Sequence, residues 1–243
     1  MPKLSIITVN LNNALGMRKT IESVVNQTYT DYEYIIIDGG STDSSLEVIA
    51  EYTDRITYWN SEPDNGIYNA MNKGIAQANG EWVIFMNSSD VFRNYEVLAN
   101  IFNRNIEAHT QILYGNALVN GLNKILNPPA NITKSFFLTG TICHQSLFAK
   151  RELFDRVGNF NSNYIIISDR DWLLRVYVSK NHFAYINFEI CIWDPIGFSS
   201  QNRELFSKEL LELKKIYFNT FEIVVFRINN KFAKLKNKLL AYF

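Results

Sequence analysis

Tyr34-Ile35-Ile36-Ile37-Asp38-Gly39-Gly40-Ser41-Thr42-Asp43 carries an apolar run onto a carboxylate, turns through two glycines and arrives at helix-capping residues. A second apolar run, Trp82-Val83-Ile84-Phe85-Met86, leads through Asn87-Ser88-Ser89 to Asp90. Continuous apolar runs bounded by turn residues suit strands buried on both faces. In open α/β sheets the ligand crevice lies beyond the carboxyl ends of the strands, so Asp38 and Asp90 are expected to converge there. Two carboxylates in one crevice point to a metal-assisted nucleotide site.

Working outward, the first 119 residues alternate strand and helix patterns. Leu4 to Val9 reads as a strand, and Ile21, Val24 and Val25 mark one helical face before Gln27-Thr28-Tyr29. Tyr32 to Asp38 is the next strand, followed by a helix carrying Leu46, Val48, Ile49 and Tyr52, then a strand from Ile56 to Trp59. A helix over Gly66 to Gln77 stops at Asn79-Gly80. Glu81 to Met86 and Ile112 to Val119 read as strands flanking a helix around Tyr95 to Phe102. This alternation predicts an α/β fold with a mostly parallel central sheet and helices on both faces. Beyond Asn120 the order is less regular, and Asn127-Pro128-Pro129 breaks it. The expected organisation is a nucleotide-binding half over 1–119, a second half of the same domain over 120–203, and a helical tail over 204–243. In the second half a strand is expected over Ile142 to Phe148 and another over Phe183 to Phe188, with helices over Arg151 to Val157 and Asp169 to Val178.

The chain has 243 residues and 47% hydrophobic composition, ample for a packed core. Its net charge is zero, yet 214–243 holds seven basic side chains against Glu222, so the tail is +6 and the rest −6. Ile216, Phe218, Phe221, Val224, Val225, Ile228, Phe232, Leu235 and Leu239 interleave with those basic residues, the pattern of a helix lying in an anionic membrane interface. The tail could equally pack on the body or pair with a second subunit as a homodimer; nucleic acid is not expected. Cys143 and Cys191 lack CxxC spacing, which argues against a disulfide framework or structural zinc. No basic segment followed by an apolar stretch opens the chain and no apolar run reaches about 18 residues. The expected location is the cytoplasm, with the tail on the inner face of the cell membrane.

No GxGxxG follows the first strand and no GxxxxGK[ST] occurs, so the common backbone cradles for phosphate are missing. A bound diphosphate would need other neutralisation, and a divalent cation at Asp90 supplies it economically, since Mg²⁺ and Mn²⁺ take carboxylate, phosphate and water oxygens.

Ser5-Ile6-Ile7-Thr8-Val9-Asn10, Ser23-Val24-Val25-Asn26-Gln27-Thr28-Tyr29 and Ile37-Asp38-Gly39-Gly40-Ser41-Thr42-Asp43 together resemble the opening of family 2 glycosyltransferases with the GT-A fold. Ser61-Glu62-Pro63-Asp64-Asn65-Gly66-Ile67-Tyr68-Asn69-Ala70-Met71-Asn72-Lys73-Gly74 is similar to a branch that builds bacterial capsule, O-antigen and exopolysaccharide. The resemblance covers about residues 3 to 200. It implies that Thr8, Asn10 and Asp38 hold base and ribose, that Asp64 and Asn65 border the pocket, and that Ser89 and Asp90 meet the diphosphate, with Asp90 at a Mn²⁺ or Mg²⁺ ion. It implies Asp169, in Ser168-Asp169-Arg170-Asp171-Trp172, as catalytic base. His144 and Gln145 match a His-Gln pair beside donor sugar or acceptor, for which Asp171 and Trp193 are further candidates. Gly197-Phe198-Ser199-Ser200 resembles the loop that closes over the diphosphate. Two departures stand out: Ser89 replaces a second carboxylate, and Asn69 stands where the branch commonly has Asp.

Each of these residues also has a plainer role. Asp38 could cap a turn, Asp90 could be a loop acid, and Asp169 and Asp171 could simply complement a helix dipole. His144 could be a hydrogen-bonded core residue, and Trp193 buried packing surface. His109 and His182 read as surface residues. The resemblance favours an inverting, metal-dependent transferase moving a hexose or N-acetylhexosamine from a nucleotide sugar, UDP being the expected nucleotide, to a glycan or polyprenyl-linked acceptor. A nucleotidyltransferase and a catalytically silent, membrane-associated partner subunit are the rival readings.

Overall fold

The computed structural model describes residues 1–195, 202–226 and 228. The first half runs β1 (Leu4–Asn10), α1 (Ala14–Val25), β2 (Tyr32–Asp38), α2 (Ser45–Ala50), β3 (Tyr58–Ser61), α3 (Ile67–Gln77), β4 (Trp82–Phe85), β5 (Val91–Phe92) and α4 (Val97–Phe102). The second half adds β6 (Ile112–Val119), β7 (Lys124–Leu126), β8 (Leu147–Lys150), α5 (Glu152–Val157), α6 (Ser168–Val178), β9 (Phe183–Trp193) and α7 (Arg203–Tyr217). One sheet ordered β3-β2-β1-β4-β8-β6-β9-β5 crosses the expected boundary, with β7 paired to β6. The fold is the GT-A type expected, and it is a single domain.

Period-2 alternation buries both faces of the central strands. Ile7, Val9, Ile35 and Ile37 face a core shared with α3, α5, α6 and α7, while Leu4, Ile6, Tyr34 and Ile36 face a core shared with α1, α2 and α4. Burying each such aliphatic side chain contributes about 1.5–3 kcal/mol.

Strands β3, β2, β1 and β4 are parallel, and the order reverses at β1, which lies between β2 and β4. That reversal opens a crevice at their carboxyl ends. The second half is mixed: β8 is antiparallel to both β4 and β6, and β5 is antiparallel to β9. The strand expected over Ile142 to Phe148 begins instead as a 3-10 turn at His144–Ser146, closed by Ser146 N donating to Cys143 O at 2.9 Å, before β8 starts at Leu147. Strand β9 runs five residues beyond the expected Phe188, because its far end pairs with β5 and β6.

The tail departs from a continuous interfacial helix. In α7, Leu213 and Glu209 are buried against the body, and the helix stops before the buried Phe218. A new helical segment, 220–226, starts with a reciprocal cap: Asn219 Oδ1 accepts from Glu222 N and Glu222 Oε2 from Asn219 N, each at 2.9 Å. Lys134 Nζ donates to Glu222 at 2.8 Å and holds this start against the body. Packing on the body therefore extends through Ile223 and Phe226, whereas Phe221, Val224 and Ile228 stay exposed. The rest of the basic tail and the loop Gly197-Phe198-Ser199-Ser200 lie outside the described residues. Among the described residues no helix is long and apolar enough to cross a membrane.

Glu209 has a specific task. Its carboxylate accepts from the backbone N–H groups of Ile165 (2.7 Å), Ile166 (3.0 Å) and Ile167 (3.2 Å), the segment that leads into α6. An unpaired buried N–H costs about 1–3 kcal/mol, so Glu209→Ala is expected to lose roughly 3 kcal/mol. Calorimetry should then show Tm falling by about 6–12 °C, with Glu209→Gln milder.

Candidate active site

The end of β1 anchors both loops of the crevice. Gly39 N donates to Asn10 O at 2.8 Å and Ser88 N to Val9 O at 3.2 Å, so the turns after β2 and β4 hang on one strand. Asp38 is fully buried and receives Asn10 Nδ2 (2.8 Å), Ser41 Oγ (2.6 Å), Ser41 N (2.8 Å), Gly40 N (3.2 Å) and Ser61 Oγ (2.7 Å). Burial pushes its pKa up, but these donors outweigh it and hold the carboxyl below its ordinary value. Asp38 thus fixes the loop shape and keeps its charge. Asp64 borders the same turn; its Oδ2 lies 2.5 Å from where a Cβ on Gly39 would sit, so a larger residue there would displace the Asp64 carboxylate. Asn65 is exposed next to it.

Asn13 ties α1 to the second loop. Its Oδ1 caps the helix by accepting from Gly16 N at 3.0 Å, and its Nδ2 donates to Ser89 Oγ at 3.0 Å and Ser88 Oγ at 3.3 Å. Ser89 is held at φ +82°, a conformation uncommon for a non-glycine residue. Asp90 is 5% exposed; its Oδ2 accepts from Gln145 Nε2 at 2.6 Å and its Oδ1 from Asp194 N at 3.0 Å. Burial pushes its pKa up to about 6 against the pull of those donors and of His144, and the nearby Asp194 carboxylate adds to the rise.

The base-side acid sits on α6. Asp169 Oδ1 accepts from Arg170 N at 2.8 Å and lies 3.2 Å from Tyr68 Oη, which also donates to Ile166 O at 2.6 Å. Its Oδ2 lies 3.6 Å from His144 Nδ1. Burial raises the Asp169 pKa, but the His144 hydrogen bond and charge, the Arg170 N–H and the Arg170 charge bring it below the ordinary value. Burial depresses His144, and Asp169 overrides it and raises the imidazole above its ordinary value. On the other ring nitrogen, His144 Nε2 lies 3.0 Å from Asn87 Nδ2, while the buried Asn87 Oδ1 has no partner. Turning that amide over gives an imidazolium its acceptor and Oδ1 its donor at once.

Five buried side-chain polar atoms lack a partner among the described residues, and four belong to this site or its edge: Asn10 Oδ1, Asn87 Oδ1, Ser168 Oγ and Arg170 Nη1. Unpartnered buried polar groups are rare in folded chains and call for an explanation; the amide turn accounts for Asn87, and a polar ligand would account for the other three. Asp90, buried beside a second carboxylate and in no ion pair among the described residues, could hold a divalent cation shared with a diphosphate, since one protein carboxylate suffices when the ligand supplies the remaining oxygens.

A family model described as glycosyl transferase family 2 matches residues 5–183. The chain belongs to that family. An uncharacterised glycosyltransferase of Mycobacterium tuberculosis is 32% identical over 206 residues, covering 82% of this chain and 78% of that protein. A PGL/p-HBAD biosynthesis glycosyltransferase of Mycobacterium bovis is 29% identical, covering 72% and 70%. Among solved structures, Staphylococcus aureus TarS 1–349 in complex with UDP superposes with a TM-score of 0.71 at 19% identity, over 88% of this chain and 65% of that one. The Pyrobaculum calidifontis mannosyltransferase PcManGT, with GDP-Man and Mn²⁺, gives 0.69 at 16% identity, over 90% and 65%. These structural likenesses bear on the fold; the chain spans just under two thirds of either solved chain.

Within this family 2 fold the expected site residues separate. Asn10, Asp38, Asp64, Ser89, Asp90, His144, Gln145 and Asp169 gather around the crevice or its supports. Thr8 does not line it: the hydroxyl is fully buried, paired with Tyr34 Oη at 2.9 Å and donating to Met86 O at 2.7 Å, so it braces the strand ends from behind. Asp171 also stays out, because two residues along a helix from Asp169 turns it to another face, where it binds Arg175 Nε and Tyr217 Oη, both at 3.0 Å. Trp193 closes β9 beside Asp194, with its carbonyl accepting from Asn120 N at 2.8 Å. Asn13, Tyr68, Asn87 and Asp194 join the site without having been expected. Only tertiary convergence distinguishes them from ordinary loop and core residues.

Proposed function

We propose that this family 2 glycosyltransferase inverts the anomeric carbon of a UDP-hexose or UDP-N-acetylhexosamine and transfers the sugar to a glycan or polyprenyl-linked acceptor of a bacterial surface polysaccharide. One observation carries the reading. Adjacent residues of a single turn reach the two acids, with Gln145 bound to Asp90 at 2.6 Å and His144 next to Asp169 at 3.6 Å. A donor with its diphosphate at Asp90 would present its anomeric carbon toward Asp169.

In this reading Asn10, Asp38, Asp64 and Asn65 shape the nucleoside pocket and Ser89 flanks the diphosphate. Asp90 would hold Mn²⁺ or Mg²⁺ together with diphosphate oxygens, and the chemistry supplied there is neutralisation of the charge on the departing nucleoside diphosphate. Asp169, ionised at neutral pH, accepts the acceptor hydroxyl proton as that oxygen bonds to the anomeric carbon. The bond from that carbon to the diphosphate breaks, and its electron pair leaves with the nucleoside diphosphate. Tyr68 and His144 hold the base in orientation. The mycobacterial relative named for PGL/p-HBAD biosynthesis and the TarS complex with UDP-GlcNAc support a surface glycan and a UDP donor. Incubation with UDP-sugars, Mn²⁺ and candidate acceptors tests it: nucleoside diphosphate release is expected, and pyrophosphate release would indicate a nucleotidyltransferase. Absence of nucleotide binding with any metal would indicate a silent subunit.

The exposed Phe221, Val224 and Ile228 and the basic residues beyond them support peripheral attachment to anionic membrane. Truncation after Phe226 is expected to abolish sedimentation with anionic vesicles while leaving Tm nearly unchanged. Undiminished sedimentation would redirect the tail to a second subunit.

A further inference from the structure

Two of the chain's three histidines meet at the end of the sheet opposite the crevice. Strand β6 runs in the direction of β4, being antiparallel to β8 as β4 is, and β9 is parallel to β6. His109 and His182, just before β6 and β9, therefore lie at the amino ends of the strands. Their rings are 4.2 Å apart at 63°, and His109 Nε2 is 3.2 Å from Glu107 Oε2. One ligand atom from each of Glu107, His109 and His182 lies within 4.8 Å of the other two, and all three residues are exposed. Among the described residues this is the one such cluster, and the glycosyltransferase site uses none of it.

We propose that Glu107, His109 and His182 form a zinc site that clasps the entry of β6 to the entry of β9. The backbone beneath is fixed: Gln111 N and Ile112 N both donate to His182 O, at 3.1 and 3.0 Å, and Thr110 N closes the turn onto Glu107 O at 2.9 Å. His182 N donates in return to Gln111 Oε1 at 3.1 Å. A tetrahedral ion with bonds of about 2.0–2.1 Å needs ligand atoms about 3.3 Å apart. The Glu107 and His109 atoms already have that spacing, and the exposed His182 would close to it by turning its side chain against the His109 ring. Water completes the fourth position. Two imidazoles and one carboxylate select borderline ions such as Zn²⁺, whereas a carboxylate such as Asp90 joined by diphosphate oxygens suits Mn²⁺ or Mg²⁺. The fold thus separates two metal chemistries at opposite ends of one sheet.

The test is zinc titration of the untagged full-length protein by calorimetry and thermal shift. One equivalent should bind, and Tm should rise with zinc up to about 100 μM through mass action. His109→Ala and His182→Ala should each weaken binding at least about tenfold with unliganded Tm unchanged, and Asp90→Ala should bind zinc as wild type does. No binding at about 100 μM, wild-type affinity in His182→Ala, or loss of zinc in Asp90→Ala would each overturn the assignment.

Discussion

Asp169→Asn is expected to lose sugar transfer by about 10³-fold while binding UDP-sugar as wild type does. The amide is the same size and can keep the Arg170 N–H and Tyr68 contacts, so folding and donor affinity should survive. What disappears is the ability to accept a proton at the moment of attack. Single-turnover kinetics beside calorimetric donor binding separates the two effects, and an active Asp169→Asn enzyme would remove this residue from the role. The pH profile sharpens the case. With the Asp169 pKa depressed, its stabilising share is present above the unfolded value of 3.8 and is lost as pH falls through the folded one. The acid limb of kcat/KM set by this group should therefore lie below the ordinary carboxylate range. His144 works in the opposite sense: its share is present below the unfolded value of 6.5 and is lost as pH rises through its raised folded value. Replacing His144 with Ala withdraws both its hydrogen bond and its charge, so the acid limb should move to higher pH. A merely structural role for His144 would lower Tm and leave that limb in place.

Asp90→Ala is expected to abolish metal-dependent binding of nucleoside diphosphate and to lower transfer by about 10³-fold, the rate equivalent of several kcal/mol of lost charge stabilisation. Calorimetry with UDP, GDP, CDP and dTDP, with and without Mn²⁺, reads the first effect and identifies the nucleotide. The ligand-free protein should lose about 1–3 kcal/mol, because alanine relieves the burial penalty of the carboxylate but strands the Gln145 Nε2 and Asp194 N donors. A variant that still binds UDP with Mn²⁺ would move the cation elsewhere in the crevice, with Asp194 the nearest alternative acid.

The crevice itself was legible in sequence because its framework is local. Apolar runs ending at Asp38 and before Asp90 fix two buried strands, and parallel packing then brings their ends together. The second half was harder, since pairing of β8 between β4 and β6 depends on partners far away in sequence. The 3-10 turn at His144–Ser146 interrupts the 142–148 stretch expected as strand, and that interruption is what lets two neighbouring side chains reach two acids. Thr8 is a site residue by resemblance alone; it lies two residues inside the end of β1, where Tyr34 Oη and Met86 O occupy its hydroxyl. Asp171 shares a motif with Asp169 but not a helix face. Interleaved apolar and basic residues in the tail suited a membrane face equally well as a packed one; the burial of Leu213 and Phe218 is a tertiary fact that spacing alone does not encode.

The clasp between Glu209 and the backbone of residues 165–167 also bears on biogenesis. Chains fold from the amino end as they are synthesised, so the central strands and α1 can collapse while α7 is still being made. Until α7 docks, three amides next to Asp169, the base of the proposed function, lack their acceptor. Under the proposed function, a nascent or carboxyl-truncated polypeptide would therefore bind nucleotide before it could turn over. On that reading competence for transfer would arrive late, with the docking of α7 acting as a check on the finished molecule.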